Sequence, residues 1–281
     1  MAASVAEAVE IAKKDKAAVI LACGGSGRRF SDAVGTGAVA GAVAAAGAEA
    51  GAAVAAVAGA AAGAGVGEAE AKQFLMLGDR PVLAYSLAFL ENYSRVDEVV
   101  LVLPEQHLER GEALIRGQWL PGLRFTKVKA VLAGGESRQE SVSKGLAALT
   151  HRQGLVLIHD GVRPCTPREV FDRVIDGVLT WGNAVAAIPV RDTIKRADQA
   201  GIVRETLERQ GLWQIQTPQG FMLHELRQAY RQAGEGLTVT DDAALMEACG
   251  CKIHLVEGHP ANIKLTYPED LLLLEAFLSR A

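Results

Sequence analysis

Short apolar runs that stop at glycine, proline or a charged turn alternate along this chain with longer stretches whose apolar positions recur every three to four residues. The runs cover 17–22, ending in Gly24-Gly25-Ser26-Gly27; 96–103, ending at Pro104; 125–132, ending at Gly134-Gly135; 155–158, ending at His159-Asp160-Gly161; and 184–188, ending at Pro189. Each reads as a buried strand entering a turn. Between them, 82–93, 106–118, 137–149 and 167–180 carry the helical period. Parallel neighbours need a crossover of about a dozen residues, which these stretches supply. The pattern therefore predicts an α/β fold, a Rossmann-like, mostly parallel sheet with helices on both faces.

Residues 191–220 break that rhythm. Segments 191–196 and 202–207 alternate like strands around the turn Asp198-Gln199-Ala200-Gly201, which predicts a protruding β-hairpin arm over about 191–213. A two-stranded arm is marginal alone, so a second copy of the chain is the simplest partner, making this a dimerisation arm. Beyond it, 240–249 and 268–278 return to helix, with 252–257 as one more strand.

Composition changes one part of this picture. Residues 33–67 contain 18 Ala, 9 Gly, 6 Val, one Thr and one Glu, and the 246 residues left without them have ordinary globular glycine usage. The tract is long enough to span a bilayer, yet Ala and Gly bury little apolar area and Glu49 lies near its centre, so it does not read as a membrane span. The expected organisation is a flexible leader at 1–16, acidic enough to argue against a signal or transit peptide, then a single domain over 17–281 with 33–67 as a low-complexity insertion. With 33 acidic and 29 basic side chains, net charge -4, no overall field draws the chain to nucleic acid or to an anionic membrane. Cys23, Cys165, Cys249 and Cys251 show no CxxC pair or secreted disulfide framework. Reduced thiols in a cytoplasmic setting follow, or in a plastid stroma for a plastid-bearing source.

Ligands of open α/β sheets sit at the carboxyl ends of the strands. Gly24-Gly25-Ser26-Gly27-Arg28-Arg29 follows the first strand, where glycines let backbone amides face a polyphosphate and guanidinium forks match its oxygens. It lacks the Gly-Lys-Ser/Thr of a Walker loop, and Phe30 stands where a dinucleotide fingerprint needs its third glycine. A tight turn with solvated arginines would look the same. Lys72, after the tract, and Lys264, in Asn262-Ile263-Lys264-Leu265-Thr266, could add point charges on phosphate, or could simply be solvated. Asp160, at a strand end, can hold Mg²⁺, which favours carboxylate, water and phosphate oxygens; it could equally cap the turn, with Arg163 paired to an acid. His159 reads as a packed strand residue. In 134–141, glycines with hydroxyl and carboxylate side chains could read a base edge, although Glu136-Ser137 also makes a helix N-terminus.

Taken in order, the 17–22 strand, GGSGRR, KQF, GGESRQES, HDGVRP, PVRDTIKR, LWQIQTPQGF, TDDAAL and NIKLTYPEDL resemble the 2-C-methyl-D-erythritol 4-phosphate cytidylyltransferase family, over about 17–280 apart from the tract. No single motif is specific; their order and spacing are. The resemblance implies transfer of CMP from CTP to the phosphate of methylerythritol phosphate, with Mg²⁺ and release of pyrophosphate. Carried over position by position, it makes Arg29, Lys72 and Lys264 the catalytic cations and Asp160 the metal ligand. Gly25 and Gly27 would cradle phosphate, and Gly135, Glu136 and Ser141 would select cytosine with the backbone of Cys23 and Gly24. Arg163, Thr193, Thr240 and Arg209, the last from the arm of a second subunit, would grip the polyol phosphate.

Cys23-Gly24-Gly25 replaces the family's usual Ala-Ala-Gly, Ala71 its proline before the lysine, and Glu136 its common aspartate. The larger departure is the 42 residues between Arg29 and Lys72, where the family has only a few. Three rivals compete: a ribitol 5-phosphate cytidylyltransferase, disfavoured by Arg209-Gln210-Gly211-Leu212-Trp213; an NAD(P)-dependent dehydrogenase, whose acidic residue about 20 positions beyond the glycine turn would have to be Glu49 inside the tract; and a catalytically silent nucleotide-binding protein.

Overall fold

The computed structural model describes residues 16–23, 71–120, 122–233, 237 and 239–279. Gly24, Gly25, Gly27, Arg29, the leader before Lys16 and the whole 33–67 tract lie outside them. Among the described residues the elements are β1 (Ala17–Ala22), a 3₁₀ turn at Lys72–Phe74, β2 (Met76–Leu77), β3 (Arg80–Pro81), α1 (Val82–Asn92), β4 (Val96–Leu103), α2 (Leu108–Ile115), β5 (Val128–Ala133), α3 (Arg138–Ala148), β6 (Leu155–Asp160) and α4 (Arg168–Trp181). There follow β7 (Asn183–Pro189), β8 (Lys195–Ala197), β9 (Val203–Thr206), β10 (Trp213–Met222), α5 (Leu223–Gln232), α6 (Asp242–Ala248), β11 (Leu255–Glu257) and α7 (Asp270–Leu278).

Among the described residues seven strands form one sheet in the order β11-β7-β10-β6-β1-β4-β5. β1 pairs in parallel with β4 on one side and β6 on the other. Side-chain alternation divides the core between the two faces. Val19 and Leu21 pack with Leu101, with Leu83 and Leu87 of α1 and with Phe171 and Val174 of α4. Ala18 and Ile20 face Val100, Val142 and Leu146 of α3, Leu226 of α5 and Leu245 of α6. β1 is apolar at every position because both of its faces are covered.

One strand departs from the sequence expectation. β10 runs antiparallel between β6 and β7, where 191–220 predicted only an arm. It is the return leg of that arm, so it meets β7 as a hairpin partner does. Its register slips between Ile215 and Gln219, which sets Gln216 and Thr217 out of the ladder. The arm is present but shorter than predicted: only 195–197 and 203–206 pair, closed by Gly201 at φ 79° and by Asp198 Oδ1, which accepts from the amides of Ala200 and Ile202. α5, with Leu223, Leu226 and Ala229 buried on one face, was not anticipated.

All four cysteines are free thiols, in line with the reduced state expected. Among the described residues no helix is long and apolar enough to cross a membrane.

Candidate active site

Consecutive strands leave β1 in opposite directions, to β4 and β5 on one side and to β6 on the other. This is the switch point where open α/β sheets bind ligands. β6 delivers Asp160 there, and the chain turns at once through Gly161, whose amide bonds the carbonyl of Ala22 at 3.0 Å. A side chain at Gly161 would collide with Cys23 Sγ, so glycine is what lets the β6 turn close over the end of β1.

Asp160 is the electrostatic centre. Its Oδ2 lies 3.0 Å from Lys264 Nζ and 3.2 Å from Arg163 Nε, and the residue lines a cleft. Burial works against its ionisation, but the charges of Lys264, Arg163 and Arg138 outweigh that and hold the carboxyl well below its usual range. The anion is therefore fixed across the physiological range.

The cations arrive by different routes. Arg163 is buried, and its Nη1 donates to the carbonyl of Asn262 at 2.7 Å. Asn262, also buried, donates Nδ2 to the carbonyl of Thr217 at 2.8 Å and accepts at Oδ1 from the Thr166 hydroxyl at 2.7 Å. Those bonds clip 262–265 onto β10, and Leu265, fully buried with its amide on the carbonyl of Val162, completes the clip. Lys264, held between the buried Asn262 and Leu265, is thereby presented across from Asp160. His159, one position before, is buried with Nδ1 3.0 Å from Thr217 Oγ1 and its ring edge-on to Phe171. Burial drops its pKa to about 3, so it is neutral and structural, as the sequence suggested.

Around these groups lies an open cleft of about 290 Å³, lined by Arg138, Asp160, Arg163, Thr240, Asp241 and Lys264 together with Ile215, Gln216, Thr217 and Gln219 of β10. Of the residues predicted from sequence, it unites Asp160, Arg163, Thr240 and Lys264. Gly135, Glu136 and Ser141 form a second group at the end of β5. Ser141 Oγ accepts from the Gly135 amide at 3.0 Å and donates to the Ser137 carbonyl, Ser137 caps α3 by accepting from the Glu140 amide, and Glu140 Oε2 accepts from the Glu136 amide. The predicted helix start and the predicted base-reading turn are thus the same structure. Thr193 and Arg209 are exposed on the arm and not among the residues lining the cleft; Arg209 donates to the Arg191 carbonyl of its own chain. Lys72 sits half-buried in the 3₁₀ turn that follows the tract, next to Phe74, which packs against Trp119.

Sequence reasoning missed Arg138, Gln219, Asp241 and Asn262. Asp241 carried a signal, since an acidic residue before an apolar helical run reads as a cap, and it does accept from the Ala244 amide. Gln216, Thr217 and Gln219 are polar residues inside the strand β10, and such residues need partners when buried.

Could the site hold Mg²⁺? Among the described residues no three His, Cys, Asp or Glu gather as a closed metal cage. One ionised carboxylate lining the cleft fits a hard cation that takes its other ligands from water and phosphate.

A family model described as 2-C-methyl-D-erythritol 4-phosphate cytidylyltransferase (IspD) matches residues 53–280. Proteins of that name from Syntrophus aciditrophicus (strain SB) and Halalkalibacterium halodurans are 37% and 44% identical over 210 residues, covering 74% of this chain and 88% and 89% of theirs. The crystal structure of the enzyme of that name from Thermus thermophilus superposes with TM-score 0.61 at 34% identity, over 75% of this chain and 94% of that one.

Proposed function

Because the chain belongs to the 2-C-methyl-D-erythritol 4-phosphate cytidylyltransferase family, we propose that its cleft transfers CMP from CTP to 2-C-methyl-D-erythritol 4-phosphate, giving 4-diphosphocytidyl-2-C-methyl-D-erythritol and pyrophosphate. The observation that carries this reading is the buried Asp160 carboxylate at the sheet's switch point, held ionised by Lys264 and Arg163 in an open cleft.

A phosphate monoester is already an anionic nucleophile. One of its oxygens attacks the α-phosphorus in line, the bond from that phosphorus to the bridging oxygen breaks, and pyrophosphate leaves with the electron pair. The protein has no proton to remove; its tasks are to overcome repulsion between anions and to fix the line of attack. Lys264 meets the α-phosphate, with Lys72 and Arg29 on the triphosphate and Gly25 and Gly27 as its backbone cradle. Gly135, Glu136 and Ser141, with the backbone of Cys23 and Gly24, select cytosine, Ser141 by holding the Gly135 turn in shape. Thr240 and Arg163 orient the polyol phosphate with Thr193. Asp160 would hold Mg²⁺, which would supply charge neutralisation on the phosphates.

The arm extends Ile202, Val203 and, at its end, Trp213 into solvent, each more than two-fifths exposed. Such a surface asks for an apolar partner. We assign it to a second copy of the chain, which would bring Arg209 to its partner's cleft. The free thiols and the polyanionic substrates suit a cytoplasmic enzyme.

Pyrophosphate release with CTP and Mg²⁺ tests the reading. Turnover is expected with 2-C-methyl-D-erythritol 4-phosphate. Turnover of ribitol 5-phosphate alone would transfer the assignment to the sister activity, and CTP binding without pyrophosphate release from either would refute catalysis.

A further inference from the structure

One cluster on the cleft, built around the buried Asp242, has no task in the reaction as written. Arg138, in the first turn of α3, lines the cleft and sends Nη1 2.6 Å to Oδ2 of Asp242, a residue 104 positions away at the start of α6. Asp242 is 1% exposed, and its other oxygen accepts from the Tyr230 hydroxyl of α5 at 2.6 Å. The preceding residue, Asp241, caps α6 at the Ala244 amide and accepts from Gln219 Nε2 of β10 at 2.7 Å. Gln219 in turn accepts at Oε1 from the Ala243 amide. Side chains from α3, α5 and β10 thus converge on one helical turn.

That turn follows Thr240, the residue assigned above to the polyol phosphate. α3, the helix that carries Arg138, begins directly after Gly135 and Glu136, assigned to the base. The Arg138–Asp242 pair therefore links the segment that holds one substrate to the segment that holds the other. Ion pairs with one partner buried, as Asp242 is here, add little stability over apolar replacements, and where they persist their geometric specificity is the property to test. A guanidinium fixes direction through its planar fork, which an ammonium does not.

We propose that Arg138 is a positioning residue of the transfer reaction, its ion pair with Asp242 holding Thr240 in register with the nucleotide segment so that the polyol phosphate lies in line with the α-phosphorus. This rests on the assignment of Thr240 made above. The competing role is that of an independent charge on the triphosphate, and Asp242 separates the two because its replacement leaves the Arg138 charge in place.

The test is steady-state kinetics of the full chain with CTP and 2-C-methyl-D-erythritol 4-phosphate varied separately. Arg138→Met and Asp242→Asn are each expected to raise KM for the polyol phosphate about tenfold and to lower kcat, with KM for CTP changed less than about threefold. In the double variant the losses should not multiply, since both changes break one contact. Arg138→Lys should recover only part of the loss. Tyr230→Phe, which keeps the ion pair but removes one bond to Asp242, should shift the same KM in the same direction by a smaller factor, and it stands in if a charge variant fails to fold. Normal kinetics for Asp242→Asn, losses that multiply in the double variant, or a raised KM for CTP alone would overturn the proposal. An inactive parent enzyme would instead refute the function itself; loss confined to the variants speaks only to the pair.

Discussion

Lys264→Met separates the part of the cation cluster that serves chemistry from the part that serves the fold. Lys264 and Arg163 both contact Asp160 Oδ2, at 3.0 and 3.2 Å, but their side chains are 42% and 10% exposed. Two unit charges 3.0 Å apart attract by about 1.4 kcal/mol in water and about 5.5 kcal/mol at an effective dielectric of about 20. The exposure of the ammonium screens it toward the lower figure, and Arg163 stays behind as a partner. Loss of Lys264 should therefore destabilise the fold by about 2 kcal/mol or less. Its effect on turnover should be larger, because removing one preorganised electrostatic donor typically costs about 10²–10³ in kcat. Arg163→Met removes the buried partner and leaves the Asn262 carbonyl with only the longer 3.4 Å bond from Gln216 Nε2, and breaking a buried pair costs about 3–5 kcal/mol. Urea unfolding alongside pyrophosphate release reads both quantities. The reasoning fails if Lys264→Met loses less than about tenfold in kcat, or if it destabilises the chain as much as Arg163→Met does.

Three further outcomes follow from the same geometry. His159, with its pKa lowered by burial from 6.5 to about 3, stays unprotonated in the folded chain while the unfolded chain binds a proton below 6.5; its contribution is complete above 6.5 and is lost as pH falls, about 2 kcal/mol between pH 7 and pH 5. Asp160 adds no slope there, since its depressed folded pKa withdraws stability only below its ordinary 3.8, so His159→Gln should flatten urea stability between those two pH values, and an unchanged slope would discard the account. Ser141→Ala removes the acceptor of the Gly135 amide and a donor to Ser137; it should raise KM for CTP about tenfold with about 1–3 kcal/mol lost in stability, whereas a raised KM for the polyol phosphate alone would misplace the base-reading turn. Replacing 33–67 by a short linker should leave activity intact and change stability by about 1–2 kcal/mol, because loop closure depends only logarithmically on length; an inactive but folded product, seen by circular dichroism, would give the tract a catalytic role.

The sheet was legible wherever a strand is buried on both faces, because a short continuous apolar run bounded by turn residues fits little else. That holds for β1, β4, β6 and β7. β10 was hidden by its own polar residues: Gln214, Gln216, Thr217 and Gln219 break the apolar run, and they do so because three of them, Gln216, Thr217 and Gln219, are buried polar groups. α5 was hidden because Arg, Gln and His fill its outer face and a residue-by-residue scan of 223–232 registers polarity before period. In the site, Asp160 stood out by its place at a strand end, while Asn262 and Arg138 did not. Their importance lies in contacts 45 and 104 positions away, to Thr217 and Asp242, and such separations leave no trace in a local pattern.

β1 has a consequence for how the chain can be divided. Similarity to the family model begins at residue 53, and a fragment cut there would keep every strand of the sheet except Ala17–Ala22. That strand lies inside the sheet, hydrogen-bonded to β4 and β6 at once. Its removal would open a gap between two apolar strands and leave their facing backbone groups as two raw edges, the geometry that invites strangers to pair. Supplied as a separate peptide, residues 16–23 would be the natural occupant of that slot, so the truncated chain should capture its own missing strand in trans and, deprived of it, aggregate.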